Sequence, residues 1–247
     1  MNDKELVANA ALDFVKNNTI IGLGTGSTAN FFIEGLAEKI KREKLYIEVV
    51  ASSTISGINA ANAGLNCVSL DQIESIDLYV DGADEIVITD FGILVLKGRG
   101  YDLIREKLLA RSTKRCLIIG DNSKMVSKIG MNFPIPVEVS SIAWKITKKI
   151  IEQFSIECNL RKNTAGDGFA ITSYGNLVLD CKFKEKDKKD ILALSSWLAS
   201  IPGVLEHGIF LDTVHDVLIA DDGNVTLNSD IPSYNRRNNM SDRAMIS

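Results

Sequence analysis

The sequence predicts an α/β fold, in which an open and mostly parallel sheet carries helices on both faces and a smaller α+β domain is inserted near the C-terminus. Short apolar runs such as Thr19–Leu23 and Arg115–Gly120 alternate with helical patterns through the first half of the chain. Strands without polar alternation are typical of a parallel sheet that is buried on both faces. Two prolines within Phe133–Val139 then end this alternation, and the pattern that follows indicates helices on an antiparallel sheet.

Each element of the first half follows from its local pattern. A helix is predicted over Leu6–Val15 because apolar residues recur on one side, and another where Phe31 to Ile40 follow helical spacing. Ser52–Thr54 predicts the cap of a third helix, and Leu103–Arg111 follows a glycine turn as a fourth. The predicted strands are Thr19–Leu23, Ile47–Ala51, Cys67–Leu70, Ile76–Val80, Ile93–Leu96 and Arg115–Gly120.

The second half predicts a different unit and then a return to the first domain. Its elements are a helix at Ala143–Phe154, two strands meeting near Ser173–Asn176, a helix at Lys188–Ala199, and returning strands at Gly208–Phe210 and Asp216–Ala220. We therefore expect a Rossmann-like catalytic domain over 1–131 and 205–230, a ferredoxin-like α+β domain over 132–204, and a polar tail over 231–247. The tail is expected to fray, with Asn235 to Asn239 unpacked.

Composition excludes several classes of partner. The chain has 247 residues and a formal net charge of -4, without a strongly basic face, which argues against nucleic acid and acidic membranes. No cationic segment leads into an apolar one at the start, and no apolar run approaches the ~20 residues of a membrane span. Four scattered cysteines predict free buried thiols, and the presence of only two histidines argues against a metal site. These features favour a cytoplasmic location.

The first chemical signal is the glycine turn at Gly22–Thr28, between a predicted strand and a predicted helix. Backbone N–H groups at such a helix start can bind an anion, and the hydroxyls of this turn suit one phosphate. The dinucleotide fingerprint fails because position 27 is Ser27, and no Gly-Lys-Ser/Thr completes a P-loop. A plain turn in which Ser27 or Thr28 caps the helix explains the pattern equally well.

The second signal is a pair of acids, Asp81 and Asp84, directly after a buried strand. Ligands of open parallel sheets bind beyond the carboxyl ends of the strands, where these acids are expected. Two close carboxylates shift each other's pKa, which is useful for moving protons. The simpler interpretation is a solvated loop in which aspartate favours the turn.

The third signal is Lys97 in the turn Lys97–Gly100, followed by Glu106 on the next helix. A lysine there can stabilise an oxyanion, although an exposed loop lysine is the commoner case. Glu106 is predicted to face away from the apolar stripe of Leu103, Ile104 and Leu108, and most such glutamates are solvated. Together, the anion-binding turn, the paired acids and the lysine with a glutamate behind it indicate proton transfer next to a carbonyl of a phosphorylated molecule.

These motifs, in this order, resemble the ribose-5-phosphate isomerases of the A type. The similarity runs from near Lys4 to about Val225, with weaker support from Pro136–Val139 and Ile201–Val204. The residues that carry it are Gly24–Thr28, Tyr79–Glu85, Lys97–Gly100, Arg105–Lys107 and Asp121–Lys124.

The resemblance implies an aldose–ketose isomerase that interconverts D-ribose 5-phosphate and D-ribulose 5-phosphate through an enediolate. It implies that Glu106 is the general base, that Lys97 and Asp84 surround the reacting carbonyl and hydroxyls, and that Asp81 acts in ring opening and proton relay. It also implies no metal or organic cofactor, and a homodimer or homotetramer. The substrate-binding positions that it implies are Lys4, Thr25, Gly26, Ser27, Thr28, Asp81, Gly82, Ala83, Asp84, Lys97, Gly98, Arg99, Gly100 and Lys124.

Two departures from the family pattern leave alternatives open. Arg99 stands in a turn that is normally Lys-Gly-Gly-Gly, so the chain could prefer another phosphorylated aldose; Thr172–Asn176 also departs, in a way that concerns hairpin geometry. A sugar-phosphate-sensing effector domain would need a DNA-binding helix-turn-helix and would have no need of Glu106 with Lys97. Acyl-CoA transfer, the third alternative, would show covalent trapping of Glu106.

Overall fold

A seven-stranded sheet forms the centre of the protein in the computed structural model, which describes residues 2–90, 92–184 and 190–229. Its strands are β1 (Thr19–Leu23), β2 (Ile47–Ala51), β3 (Asn66–Cys67), β4 (Leu78–Asp81), β7 (Cys116–Asp121), β13 (Asp216–Asp221) and β14 (Asn224–Ser229). Their order is β14-β13-β7-β4-β1-β2-β3, and all neighbours are parallel except the edge strand β14, which runs antiparallel to β13.

Four helices accompany this sheet, namely α1 (Asp3–Ala11), α2 (Ser27–Glu43), α3 (Thr54–Asn62) and α4 (Leu103–Ser112). Two apolar clusters pack with them, one containing Phe32 and Leu36 of α2, the other containing Leu109 of α4. The predicted α/β class with an open, mostly parallel sheet is therefore confirmed. Ser53 caps α3 through a reciprocal bond with Ser56, as the sequence indicated for this segment.

One predicted strand belongs to a different sheet. Ile93–Leu96 was expected to extend the parallel sheet, but β6 (Gly92–Leu96) pairs antiparallel with β5 (Glu85–Thr89), a strand that was not predicted, and with β12 (Ile209–Phe210). The three strands form a separate sheet of order β12-β6-β5. The error arises because a short apolar run shows that a strand is buried without showing which strand it pairs with.

The predicted smaller unit contains a four-stranded antiparallel sheet of order β11-β8-β10-β9. Helices α5 (Trp144–Ile151) and α6 (Ile191–Ser200) share an apolar cluster with it, including Ile151, Leu194 and Leu198. The strands are β8 (Ile135–Val139), β9 (Ser155–Leu160), β10 (Leu177–Phe183) and β11 (Val204–His207).

Several element ends differ from the prediction for local reasons. The strand predicted at Cys67–Leu70 ends at Cys67, because a 3₁₀ turn begins at Leu70 and is capped by Ser69 and Gln72. The first helix changes to 3₁₀ geometry over Leu12–Phe14. The predicted fraying over 231–247 lies outside the described residues. In the part of the chain that is described, no helix is both long enough and apolar enough to span a bilayer.

The expectation of four free, buried cysteines is wrong for three of them. Cys158 and Cys181 form a disulfide, because they are directly opposed on the antiparallel neighbours β9 and β10. Cys67 is free but exposed, and only Cys116 is both free and buried.

Candidate active site

A polar cavity of about 310 Å³ opens where β1 and β4 end. It is completed by the residues that follow β6, by α4 and by the 3₁₀ turn after β7. Of the predicted substrate-binding residues, the cavity brings together all except Asp81: Lys4, Thr25, Gly26, Ser27, Thr28, Gly82, Ala83, Asp84, Lys97, Gly98, Arg99, Gly100 and Lys124. Glu106 and Ala29 complete the lining.

One end of the cavity is built to attract an anion. Helix α2 starts there behind Gly26, whose φ of 115° suits glycine, and no side chain caps the helix. Uncapped N–H groups at a helix start carry partial positive charge. Lys4 lies beside them with its Nζ 3.0 Å from Ser27 Oγ, and Lys124 approaches from the turn after β7. Together these groups can hold a phosphate.

Thr25 shapes this end without offering a free hydroxyl. Its Oγ1 donates to Ser53 Oγ at 2.7 Å and lies 2.9 Å from Ser52 Oγ, so it fixes the turn to the loop after β2. Its backbone N–H donates to Asp81 Oδ1 at 3.0 Å. The Thr25 hydroxyl is therefore occupied by the protein rather than by the anion site.

Asp84 and Lys97 are brought together by the β5–β6 hairpin. Asp84 precedes β5 and Lys97 follows β6; the Asp84 N–H donates to Leu96 O at 2.8 Å. Lys97 Nζ lies 2.7 Å from Asp81 Oδ2, 2.7 Å from Gly82 O and 3.5 Å from Glu106 Oε2. The sequence placed Lys97 at the end of a parallel strand, whereas it reaches the site from the antiparallel sheet.

Glu106 is buried, contrary to the expectation of a solvated face. The buried residues of α4 include Glu106 at 2% exposure and Lys107, whereas Leu108 is 47% exposed. Helix α4 thus turns its carboxylate toward the cavity and one of its leucines toward solvent. Glu106 Oε2 has no hydrogen-bond partner among the described residues.

The electrostatics of Glu106 suit a proton acceptor. Burial raises its pKa to about 8, against the opposing effect of Lys97, and the negative charges of Asp81 and Asp84 add to the rise. The pKa of Lys97 is also raised, because attraction to Asp81 and Glu106 outweighs the cost of burying its charge. The pair therefore places a base that can exchange protons near neutral pH beside a fixed cation.

The two aspartates occupy different environments. Asp84 lines the cavity, and burial raises its pKa although Lys97, Arg99, Lys124 and Arg161 oppose the rise. Burial rather than repulsion between the two acids is therefore the main cause of this rise. Asp81 itself is fully buried and does not line the cavity.

The Lys97–Gly100 turn accommodates Arg99 without backbone strain at that residue. The left-handed positions are Gly98, with φ of 108°, and Tyr101, with φ of 73°. The Arg99 guanidinium stacks on the Phe133 ring, with Cζ 4.6 Å from the ring centroid. The Arg99 side chain therefore lies on the cavity wall. The departure from the family turn therefore adds a charge to the cavity wall without placing Arg99 in the left-handed region.

Two residues near the site were missed. Tyr79 donates its hydroxyl to Asp81 Oδ2, and the signal was available because residues two apart on a strand face the same side. Arg161 holds Asp180 and donates to Gly98 O at 2.6 Å, and no local pattern marked it. No cluster of three or more metal-binding side chains occurs in the described residues.

The fold and this cavity define an α/β protein with a polar cavity suited to a small anionic molecule beside a buried carboxylate–lysine pair. The family model of ribose 5-phosphate isomerase A (phosphoriboisomerase A) matches residues 48–224. A ribose-5-phosphate isomerase A from Prochlorococcus marinus (strain MIT 9312) is 40% identical over 219 residues, which cover 87% of this chain and 90% of the relative.

Solved structures agree with this match. The ribose 5-phosphate isomerase A of Methanocaldococcus jannaschii has a TM-score of 0.83 and 33% identity, covering 92% of this chain and 97% of the other. A D-ribose-5-phosphate isomerase in complex with phospho-erythronic acid has a TM-score of 0.85 and 34% identity, covering 93% and 100%. The chain belongs to the ribose 5-phosphate isomerase A family.

Proposed function

We propose that this protein interconverts D-ribose 5-phosphate and D-ribulose 5-phosphate, as its family membership indicates. The observation that carries the proposal is the buried Glu106 carboxylate, 3.5 Å from Lys97 Nζ, at the wall of a cavity whose other end suits a phosphate. An acid–base pair and an anion site in one cavity are what proton transfer on a sugar phosphate requires.

The cavity orients the substrate by its charge. The phosphate binds at the start of α2 between Lys4 and Lys124, and the carbonyl end lies by Lys97 and Glu106. Gly100 lets the substrate approach this end, because a Cβ there would lie 3.6 Å from Glu106 Oε1 and 3.3 Å from Thr25 Cγ2. Holding both ends fixes the C1–C2 bond against the base.

Glu106 then moves the proton. In the aldose-to-ketose direction it removes the proton from C2, and the electron pair forms the C1–C2 double bond of an enediolate. Lys97 stabilises the negative charge that develops on oxygen, a role in which loss of one donor typically costs about 2.7–4 kcal/mol. Glu106 returns the proton to C1, which completes the ketose.

Asp84 is the second proton carrier. The reaction moves a proton from the C2 hydroxyl to the C1 oxygen, so a group is needed that both gives and takes protons there. Asp84 lines the cavity beside Lys97, and its raised pKa favours this exchange.

Turnover by a Glu106→Gln variant tests the proposal directly. The wild type should form ribulose 5-phosphate from ribose 5-phosphate, and Glu106→Gln should lose about 10²- to 10⁴-fold in kcat while keeping KM, because the amide cannot accept the proton. Glu38 is exposed on α2, so Glu38→Gln is the matched control and should keep wild-type kcat. A folded wild type without activity, or a Glu106→Gln variant within about tenfold of it, would contradict the proposal.

Assembly and location are finer parts of the proposal. A homodimer or homotetramer is supported by apolar side chains left in solvent, among them Ile142 and Ile146. A cytoplasmic location is supported by the match to ribose-5-phosphate isomerase A enzymes.

A further inference from the structure

All hydrogen-bond acceptor positions of the Asp81 carboxylate are occupied by donors of the protein itself. Oδ1 accepts from the backbone N–H groups of Thr25 at 3.0 Å and Gly82 at 2.7 Å. Oδ2 accepts from Lys97 Nζ at 2.7 Å and from the Tyr79 hydroxyl. A carboxylate offers about four acceptor positions, and all four are filled here.

The fourth donor, Tyr79, packs against a glycine of the neighbouring strand, and the missing side chain there leaves room for the Tyr79 ring. Tyr79 is fully buried on β4, and its register partner on β1 is Gly22. A Cβ on Gly22 would lie 2.7 Å from Tyr79 Cδ2, and one on Gly24 would lie 2.6 Å from Asp81 Cα. The two glycines therefore make room for Tyr79 and Asp81, and only Gly26 serves the anion site.

Tyr79 remains the donor of its hydrogen bond to Asp81 over a wide pH range. Burial, together with the negative charges of Asp81 and Glu106, raises the pKa of Tyr79 well above its usual value. The hydroxyl consequently stays protonated and remains a donor to Asp81.

We propose that Tyr79 is a positioning residue that holds Asp81 as the fixed counter-charge of Lys97, and that Asp81 does not itself touch the substrate. Asp81 lies behind the cavity wall, and a proton or a substrate hydroxyl could bind it only by displacing one of its four donors. Lys97 in turn is held between Asp81, Gly82 O and Glu106, which aims its charge at the reacting end of the cavity.

This inference rests on the proposed isomerase function, and it assigns acid–base work on the substrate to Asp84 and Glu106. It predicts that Tyr79 and Asp81 act in series through Lys97. Removing the Tyr79 hydroxyl should therefore change kcat without changing substrate binding, and it should have no further effect once Asp81 has lost its charge.

The test measures kcat and KM for ribose 5-phosphate, and the dissociation constant of phospho-erythronic acid, in Tyr79→Phe, Asp81→Asn and the double variant. A hydrogen bond to a charged group is commonly worth enough for an about ten- to hundredfold effect, so we expect a loss of that size in the kcat of Tyr79→Phe. KM for ribose 5-phosphate should stay within about threefold of wild type, and phospho-erythronic acid should bind more weakly, because its carboxylate meets the displaced Lys97. The double variant should match Asp81→Asn alone.

Val80→Ala is the matched control on the same strand. Its side chain packs in the other apolar cluster, away from Tyr79, so it lowers stability without removing a donor from Asp81. We expect wild-type kcat in the folded control. If Tyr79→Phe does not fold by circular dichroism, the cycle of Asp81→Asn with Lys97→Gln replaces it, and the two losses should again fail to multiply.

Three results would overturn the inference: wild-type kcat in Tyr79→Phe, multiplying losses in either cycle, or a KM for ribose 5-phosphate that rises in Asp81→Asn in step with the loss of kcat. The last would show that Asp81 acts in substrate binding. An inactive wild type would overturn the proposed function and this inference together, whereas an active wild type with an unaffected Tyr79→Phe overturns the inference alone.

Discussion

Glu106 and Lys97 are both buried. Burial disfavours the charged form of each side chain, whereas their mutual attraction favours it. For Lys97 the attraction of Asp81 and Glu106 prevails, and its pKa rises. For Glu106 burial prevails over the attraction of Lys97, and its pKa rises as well. The difference follows from the neighbours, because Lys97 Nζ lies 2.7 Å from Asp81 Oδ2, whereas Glu106 Oε2 lies 3.5 Å from Lys97, its one ion-pair partner among the described residues.

This balance predicts the pH dependence of the reaction. Only deprotonated Glu106 accepts a proton, so kcat/KM should rise with pH through an acid limb with a midpoint near pH 8, set by a pKa of about 8. Lys97 stays charged over this range because its pKa is raised. Initial rates from pH 5 to pH 9 measure the limb, and the residual rate of Glu106→Gln should lack it. A limb at the ordinary carboxylate pKa, below pH 5, would be inconsistent with this account.

Arg99 tests the effect of an added charge on the cavity wall. Because Arg99 has no left-handed backbone, Arg99→Gly should leave the turn intact and kcat within about twofold, and it should raise KM for ribose 5-phosphate about two- to fivefold, as for an exposed charge pair. Arg99→Lys keeps the charge and is the control. Steady-state kinetics on ribose 5-phosphate and a second phosphorylated aldose measure both effects; preference for the second aldose would favour the alternative substrate.

At the scale of elements, the site depends on two sheets meeting. The parallel strands β1 and β4 supply the anion-binding turn and Asp81, and the β5–β6 hairpin supplies Asp84 and Lys97. Adjacent parallel strands end at one edge, which explains why motifs that follow strands could be grouped from the sequence. The hairpin partner of β6 depends on which strands pair, and that information is absent from an apolar run.

The spacing of β1 and β4 gives an element-scale prediction. Gly24→Ala should destabilise the fold by about 1–3 kcal/mol and reduce kcat, because its Cβ would lie 2.6 Å from backbone atom Cα of Asp81. Gly57→Ala in α3 is the matched control, since its Cβ would make an ordinary 3.5 Å contact with Ala51. Alanine favours helix by about 1 kcal/mol over glycine, so the control should be neutral or more stable. Urea unfolding measures both, and equal midpoints for Gly24→Ala and wild type would contradict the prediction.

Across the whole molecule, the sequence could be used to predict the fold class, the cavity residues that follow strands, and the family. It could not be used to predict the full surroundings of Asp81, because its donors Thr25 and Lys97 come from distant parts of the chain. The burial of Glu106 was missed for a similar reason, since a helical stripe reports apolar packing and gives no sign of a polar cavity beside it.

The exposed apolar side chains of the second half predict self-association. Ile142 is 94% exposed and Ile146 is 68% exposed, and burying an isoleucine is worth about 1.5–3 kcal/mol. Sedimentation equilibrium should therefore give a mass of at least twice the 27.0 kDa of one chain.

Ile146→Asp should shift the protein toward the monomer mass, because a charge at this position opposes burial. Ile58→Asp is the same exchange at a 55% exposed position on α3 and should leave the mass unchanged. A wild type at 27.0 kDa at all concentrations would contradict self-association, and an unchanged mass in Ile146→Asp would move the interface to another surface.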